Sequence, residues 1–291
     1  MTRRIEWIHG WLLLTPALVL LFAFTHVPAV KTIIDSFFST PRGARPATFV
    51  GTANYEFLLN DATFWRVLEN NALYALVTIP VSIALAIAMA LWVDGKLKGR
   101  GFVRMAYFAP TVLPLIATAN IWMFFYTPGF GLIDQVRALF GGAQVNWLGD
   151  PQLVLGAVMV VAIWKEAGFF MIFYLAALQS IPPSLREAAA IEGASRWTFF
   201  RRVTFPLLMP TTLFVSINAV INAVRLVDHI FVMTEGGPDN HSSLLLYYIY
   251  ETAFKFWDTA YASTLTVVVL AILSVLAIGQ FHLIDRRVHY R

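Results

Sequence analysis

Residues 184–206 read SLREAAAIEGASRWTFFRRVTFP, a polar stretch that carries Arg186, Arg196, Arg201 and Arg202 between two long apolar segments. Ser184 follows Pro182-Pro183 and stands three residues before Glu187. That is the spacing of a capping box, in which the serine oxygen and the glutamate satisfy free amides of a first helical turn. It predicts a helix from about Leu185. Ala188, Ala189 and Ala190 favour helix and carry little bulk, which leaves another protein room to approach the backbone. Gly193 ends the helix, because glycine takes a left-handed C-terminal conformation without steric cost. Ser195 is expected to cap a second short helix bearing Trp197, Phe199, Phe200 and Val203, with Pro206 closing it.

The surroundings of this loop are membrane spans. The chain has 291 residues, 58% of them hydrophobic and only 13% charged, with a mean hydropathy of +0.68. A single soluble core cannot bury that much apolar surface. Six apolar segments, at about 11–35, 71–93, 102–126, 152–178, 207–233 and 260–284, reach the length needed to cross a bilayer. The fold class that follows is all-α integral membrane, with six transmembrane helices in one membrane domain spanning 1–291. With the N-terminus in the cytoplasm, Arg3, Arg4, Lys96, Lys98, Arg100, Arg104, the four loop arginines, Arg286, Arg287 and Arg291 lie inside. Only Arg42, Arg45, Arg66, Arg137 and Lys255 then lie outside. The excess of basic residues inside sets the orientation and places both termini in the cytoplasm. The first segment is too long for a signal peptide and has no clear small-x-small cleavage site, so it is kept as a span. The formal net charge of +4 follows from this loop asymmetry and implies no nucleic-acid partner. The absence of cysteine excludes disulfides, thiolate catalysis and cysteine metal sites.

With spans on both sides, residues 184–206 resemble the EAA loop of permease subunits in binding-protein-dependent, ATP-driven importers. The family pattern is Glu-Ala-Ala, three residues, Gly, nine residues, Ile-x-Leu-Pro. This chain has Glu187-Ala188-Ala189, then Gly193, then Val203-Thr204-Phe205-Pro206, and its two departures keep apolar character. The later segments Glu235-Gly236-Gly237-Pro238 and Tyr247-Tyr248-Ile249-Tyr250 look like sugar permeases, and Phe49-Val50-Gly51 with Asn54-Tyr55 adds a weaker likeness. The resemblance implies a type I importer permease fold in which Glu187, Ala188, Ala189, Gly193 and Pro206 form the coupling loop. It also implies a second homologous permease, two copies of an ATPase subunit that bind ATP and magnesium, and a soluble substrate-binding protein at the outer face of a bacterial inner membrane. The chain itself is expected to carry no cofactor, and its surroundings are membrane lipid.

Charged and amide side chains inside spans are costly, so each asks for a reason. Lys165 and Glu166 lie near mid-depth of the fourth segment, followed by Gly168, which would let that helix open locally. On the fifth, Asn218, Asn222, Arg225 and His229 fall at i, i+4, i+7 and i+11, a strip roughly 60° wide with Asp228 at its edge. Two readings are open. In one, Lys165 pairs with Glu166 or Asp228, and Arg225 with Asp228, purely to neutralise charge within a bundle. In the other, these residues line a substrate pathway, for which asparagines suit the hydroxyls of a sugar. The resemblance favours the second for Lys165, Glu166, Asn222, Arg225 and Thr111, while Asn120 and Asn218 join as lining residues. Trp164 and Phe169 would serve sugar stacking or ordinary aromatic packing. Convergence of Lys165 and Arg225 on one group would suit an anionic sugar derivative, whereas Glu166 and Asp228 nearby balance the charge and suit a neutral sugar.

Enzymatic readings find no support. The chain has no G-x-x-x-x-G-K-[ST] loop and no H-E-x-x-H. An ion-coupled secondary transporter is the rival class, since Lys165, Glu166, Asp228 and His229 are able to carry protons, but such a transporter has no need of the loop at 184–206.

Overall fold

The computed structural model describes residues 2–95 and 99–285, so Lys96, Lys98, Arg286, Arg287 and Arg291 of the charge count lie outside the described residues. In chain order the helices are α1 (Thr2–Leu21), α2 (Val27–Asp35), α3 (Ala53–Asn60), α4 (Ala62–Asp94), α5 (Arg100–Val112), α6 (Leu115–Phe125) and α7 (Leu132–Leu139). They continue as α8 (Val154–Gln179), α9 (Pro183–Ile191), α10 (Arg196–Phe199), α11 (Phe205–Arg225), α12 (Asp228–Met233), α13 (Leu245–Tyr250) and α14 (Thr259–Asp285). Among the described residues, five helices are long and apolar enough to cross a membrane. A sixth crossing is present if α5 and α6, bent by 103°, count as one.

Two π-helical turns join helices into longer rods, Phe22–His26 between α1 and α2 and Phe200–Thr204 between α10 and α11. Each is followed two residues on by a proline, Pro28 and Pro206. A proline ring clashes with the carbonyl four residues back, and the wide turn places that carbonyl, on Phe24 or Arg202, where the helix is loosened. Pro206 therefore does not close the second loop helix, as its sequence position suggested. The helix passes through it, and Arg196 to Arg225 forms one long rod.

The expected third span also needs correcting. Residues 102–126 are not one helix, because Leu113 is extended (ψ 135°) and Pro114 follows it at ψ 141°. The residue before a proline is pushed out of the helical region, which explains the break. Pro80 and Pro210, by contrast, stay inside α4 and α11. The second span is longer than its apolar run, 33 residues from Ala62.

The chain divides into two compact units, residues 1–62 with 249–272, and residues 63–248 with 273–291. In the first, Asn54 Nδ2 donates to the carbonyls of Ser36 (2.8 Å) and Phe38 (2.9 Å), and Tyr261 donates to Asp61 (2.6 Å). The second unit is built on α8. Apart from Lys165, Glu166 and Gln179 this helix is apolar on every face, and it is the most buried of the spans. Phe170, Met171, Tyr174 and Leu175 of α8 pack with Ala86 and Ala90 of α4 and with Leu208 and Val215 of α11. Toward the other end of α8, Leu155, Val158 and Ala162 meet Tyr74 of α4, Ala223 of α11 and Ile230 of α12.

Candidate functional site

The loop at 184–206 folds as two helices. The first starts at Pro183, with Pro182 as N-cap and no side-chain cap bond, so the expected capping box is not formed. Proline at the first helical position has its φ preset and no amide to satisfy, which moves the start ahead of Ser184 and leaves that residue inside the first turn. The other end follows the sequence reading. Gly193 has φ +70°, its N–H donates to Ala190 O (3.1 Å), and Ala194 N–H donates to Ala189 O (2.9 Å). These paired bonds form a Schellman motif and satisfy two of the last carbonyls of α9. Ser195 Oγ then accepts from Thr198 N–H at 3.1 Å and caps α10. Glu187, Ala188 and Ala190 are exposed and Ala189 is half-buried. Ile191 is 89% exposed and Trp197 68%, so two large apolar side chains stand on this polar loop without cover from the chain itself.

Among the described residues, the intramembrane charges do not pair as ion pairs. Lys165 Nζ donates to Pro110 O (2.9 Å) and Leu113 O (2.6 Å), at the end of α5. Glu166 turns the other way, and its carboxylate accepts from Asn222 Nδ2 at 2.9 Å, tying α8 to α11. Among the described residues, Arg225 and Asp228 form no salt bridge and both are exposed. The strip drawn along the fifth segment stops at Arg225, because Leu226 is extended (ψ 103°) and ends α11. His229 thus lies on a separate short helix, buried, with Nε2 3.2 Å from Tyr74 OH.

Between these groups lies a cavity of about 20 Å³, lined among others by Tyr74, Ser82, Lys165, Glu166, Asn222 and His229. That is room for about one water. Ser82 Oγ and His229 Nδ1 are buried with no hydrogen-bond partner among the described residues. The sequence reading missed Tyr74, Thr78 and Ser82, although their spacing of four marks one polar stripe on an apolar helix. Asn218 and Asn120 each donate one amide bond four residues back, to Phe214 O (2.8 Å) and Ile116 O (2.9 Å). Their side-chain carbonyls are left for another partner. Thr111 Oγ1 is buried without a partner among the described residues. Gly168 does not open α8, which is continuous. Instead a Cβ there would lie 2.2 Å from Tyr107 O, so glycine is what lets α5 approach α8 this closely. Trp164 packs edge-on against Trp122 at 5.6 Å, and Phe169 against Phe173 at 5.2 Å.

Two loop segments are held by buried polar side chains. Asn70 Nδ2 donates to Asn240 O (2.7 Å) and Ser243 O (3.0 Å), and Asn71 Oδ1 accepts from Leu245 N–H (3.2 Å), which fastens residues 240–245 to α4. The turn they hold has Glu235, Asp239 and Asn240 at positive φ. In the loop around α7, the buried Asp134 carboxylate accepts from Gly129 N–H (2.9 Å), Val145 N–H (3.2 Å) and Trp147 Nε1–H (3.1 Å). These donors, the Gly129 amide foremost, hold its carboxyl below the usual carboxylate range against the opposing effect of burial.

An apolar helical membrane unit with an exposed two-helix loop and hydrogen-bonded polar side chains among its spans is the build of a transport protein's membrane component. The family model "Binding-protein-dependent transport system inner membrane component" matches residues 82–290, and the chain belongs to that family. It is 34% identical over 281 residues to the lactose transport system permease protein LacF of Rhizobium radiobacter, covering 94% of this chain and 93% of that protein. To the sulfoquinovosyl glycerol transport system permease protein SmoG of Agrobacterium fabrum it is 32% identical over 262 residues, covering 90% and 85%. Its fold matches a chain of a bacterial ABC transporter involved in the import of the acidic polysaccharide alginate, with a TM-score of 0.84 at 23% identity over 97% and 96% of the two chains. The chain is thus an ABC transporter permease subunit with the importer permease fold, and ATP hydrolysis belongs to a separate subunit.

Proposed function

We propose that this permease carries a sugar or sugar derivative inward, along a path lined by Thr111, Asn120, Glu166, Asn218, Asn222, Arg225 and Asp228. The observation that carries this reading is the size of the cavity among its polar residues. At about 20 Å³ it is far below the roughly 300–1,000 Å³ of a small-molecule site, so a sugar must sit against the outward faces of these side chains. The exposed Arg225 and Asp228, and the free amide carbonyls of Asn120 and Asn218, fit that arrangement. A second, homologous permease then supplies the opposite wall. The substrate class is supported by the names of two relatives, one a lactose and the other a sulfoquinovosyl glycerol permease protein.

In this reading α9 and α10 seat in an ATPase subunit, with Ile191 and Trp197 as apolar anchors, and two ATPase copies drive the cycle. Glu187, Ala188, Ala189, Gly193 and Pro206 are the coupling residues. The loop and both termini are cytoplasmic, and a soluble binding protein delivers substrate at the outer face. The test is Glu187→Lys in the reconstituted importer. Uptake should be lost while the permease remains in the membrane, and uptake at the wild-type rate refutes the coupling role. A second reading, an anionic sugar derivative, rests on Arg225, an exposed cation that forms no salt bridge among the described residues. An arginine fork matches sulfonate, phosphate or carboxylate. Arg225→Gln should abolish uptake of sulfoquinovosyl glycerol if that class is carried, and leave uptake of lactose nearly unchanged if a neutral sugar is.

A further inference from the structure

We propose that Lys165 is a positioning residue whose ammonium replaces the backbone N–H that Pro114 lacks, and so holds the third span in its broken form. In an α-helix each carbonyl accepts from the amide four residues on. The partner of Pro110 O would be residue 114, and residue 114 is a proline with no N–H to give. Lys165 Nζ takes that place at 2.9 Å. The same ammonium bonds Leu113 O at 2.6 Å, the carbonyl freed where the chain turns extended ahead of Pro114. Pro110 is buried, and a buried carbonyl at a break in a spanning segment needs a donor from elsewhere in the fold.

Charge and geometry agree with this role. Both acceptors lie at the end of α5, where unsatisfied carbonyls give a helix its negative pole and a cation is favoured. The register is fixed independently, because Gly168, one turn beyond Lys165, lies against Tyr107 O, one turn before Pro110. Among the described residues Lys165 does not meet Glu166 as an ion pair, and two of its three donors are directed to the break. The inference is independent of the substrate class proposed above, and its failure would leave that class untouched.

Hydrogen–deuterium exchange on the intact importer in lipid nanodiscs tests it without any substrate. Lys165→Met removes the donors at nearly constant length and should speed exchange at the hydrogen-bonded amides of residues 118–121 on the order of tenfold, as expected when buried acceptors lose their partner. Lys165→Arg should retain protection. Adding Pro114→Ala to Lys165→Met should restore it, because an alanine at that position brings back the missing N–H. A residue that only fills space or contacts solute would not respond to a change at position 114. Unchanged exchange in Lys165→Met, or failure of Pro114→Ala to rescue, overturns the proposal. If Lys165→Met does not accumulate in the membrane, Lys165→Leu, which likewise has no donor, is compared with and without Pro114→Ala under the same criteria.

Discussion

Gly168 offers a sharp test of how α5 and α8 are joined. A Cβ at this position would lie 2.2 Å from Tyr107 O, where ordinary contact begins at 3.4 Å. Because the obstacle is backbone, Gly168→Ala requires the two helices to part by about 1.2 Å. Overpacking of this kind costs about 1–3 kcal/mol, set against a gain of about 1 kcal/mol from alanine's higher helix propensity. Gly156, on the same helix, has nothing within 4 Å of the corresponding Cβ. Gly156→Ala therefore keeps the propensity gain and meets no obstacle, so the two variants should differ by about the overpacking cost alone. At about 2–4 °C per kcal/mol, Gly168→Ala should melt at least about 2 °C below Gly156→Ala when the purified complex is heated and tryptophan emission followed. Equal melting of the two variants would show that the close approach is not a constraint, and the reasoning would fail.

Three further outcomes are expected. At Gly193 the space for a side chain is open, so Gly193→Ala should cost only its left-handed conformation, about 1–2 kcal/mol, seen as faster exchange of the Ala194 amide with the rest of the permease unchanged. Asn70→Ala removes the donor shared by Asn240 O and Ser243 O, at about 1–3 kcal/mol, and should make residues 239–245 sensitive to protease. Asp134 has a folded-state pKa below its ordinary value of 3.8, so the stability it contributes is present above that value and lost as pH falls through the lowered one. Acid titration of Trp147 emission should therefore show the loop loosening only below about pH 3.8, and Asp134→Asn should remove that step.

What was legible in the sequence was governed by local chemistry. Gly193 and Ser195 act on amides and carbonyls within five residues of themselves, so their roles at the ends of α9 and α10 were visible in the string. The capping box failed for an equally local reason, two prolines competing for the same helix start. Spans were legible from apolar length, but the break in the third was not. Of the prolines inside apolar segments, Pro80, Pro110 and Pro210 leave their helices continuous. What distinguishes Pro114 is a lysine 51 positions away in the chain, whose reach no window of sequence contains. The same holds for Lys165 and Glu166, adjacent and opposite in charge, which bond to different helices. The strip along the fifth segment assumed 100° per residue through Leu226, where the helix ends.

The passage of one helix through Pro206 has a mechanical consequence. From Arg196 to Arg225 the chain is a rod on the order of 45 Å long at 1.5 Å per residue, with Trp197 near one tip and Asn222 near the other. A lever of that length turns a tilt of about 5° at one tip into a sweep of about 4 Å at the other. The Asn222–Glu166 bond is 2.9 Å long, and donor and acceptor lose each other well within such a sweep. A tilt of that size is therefore enough to part Asn222 from Glu166.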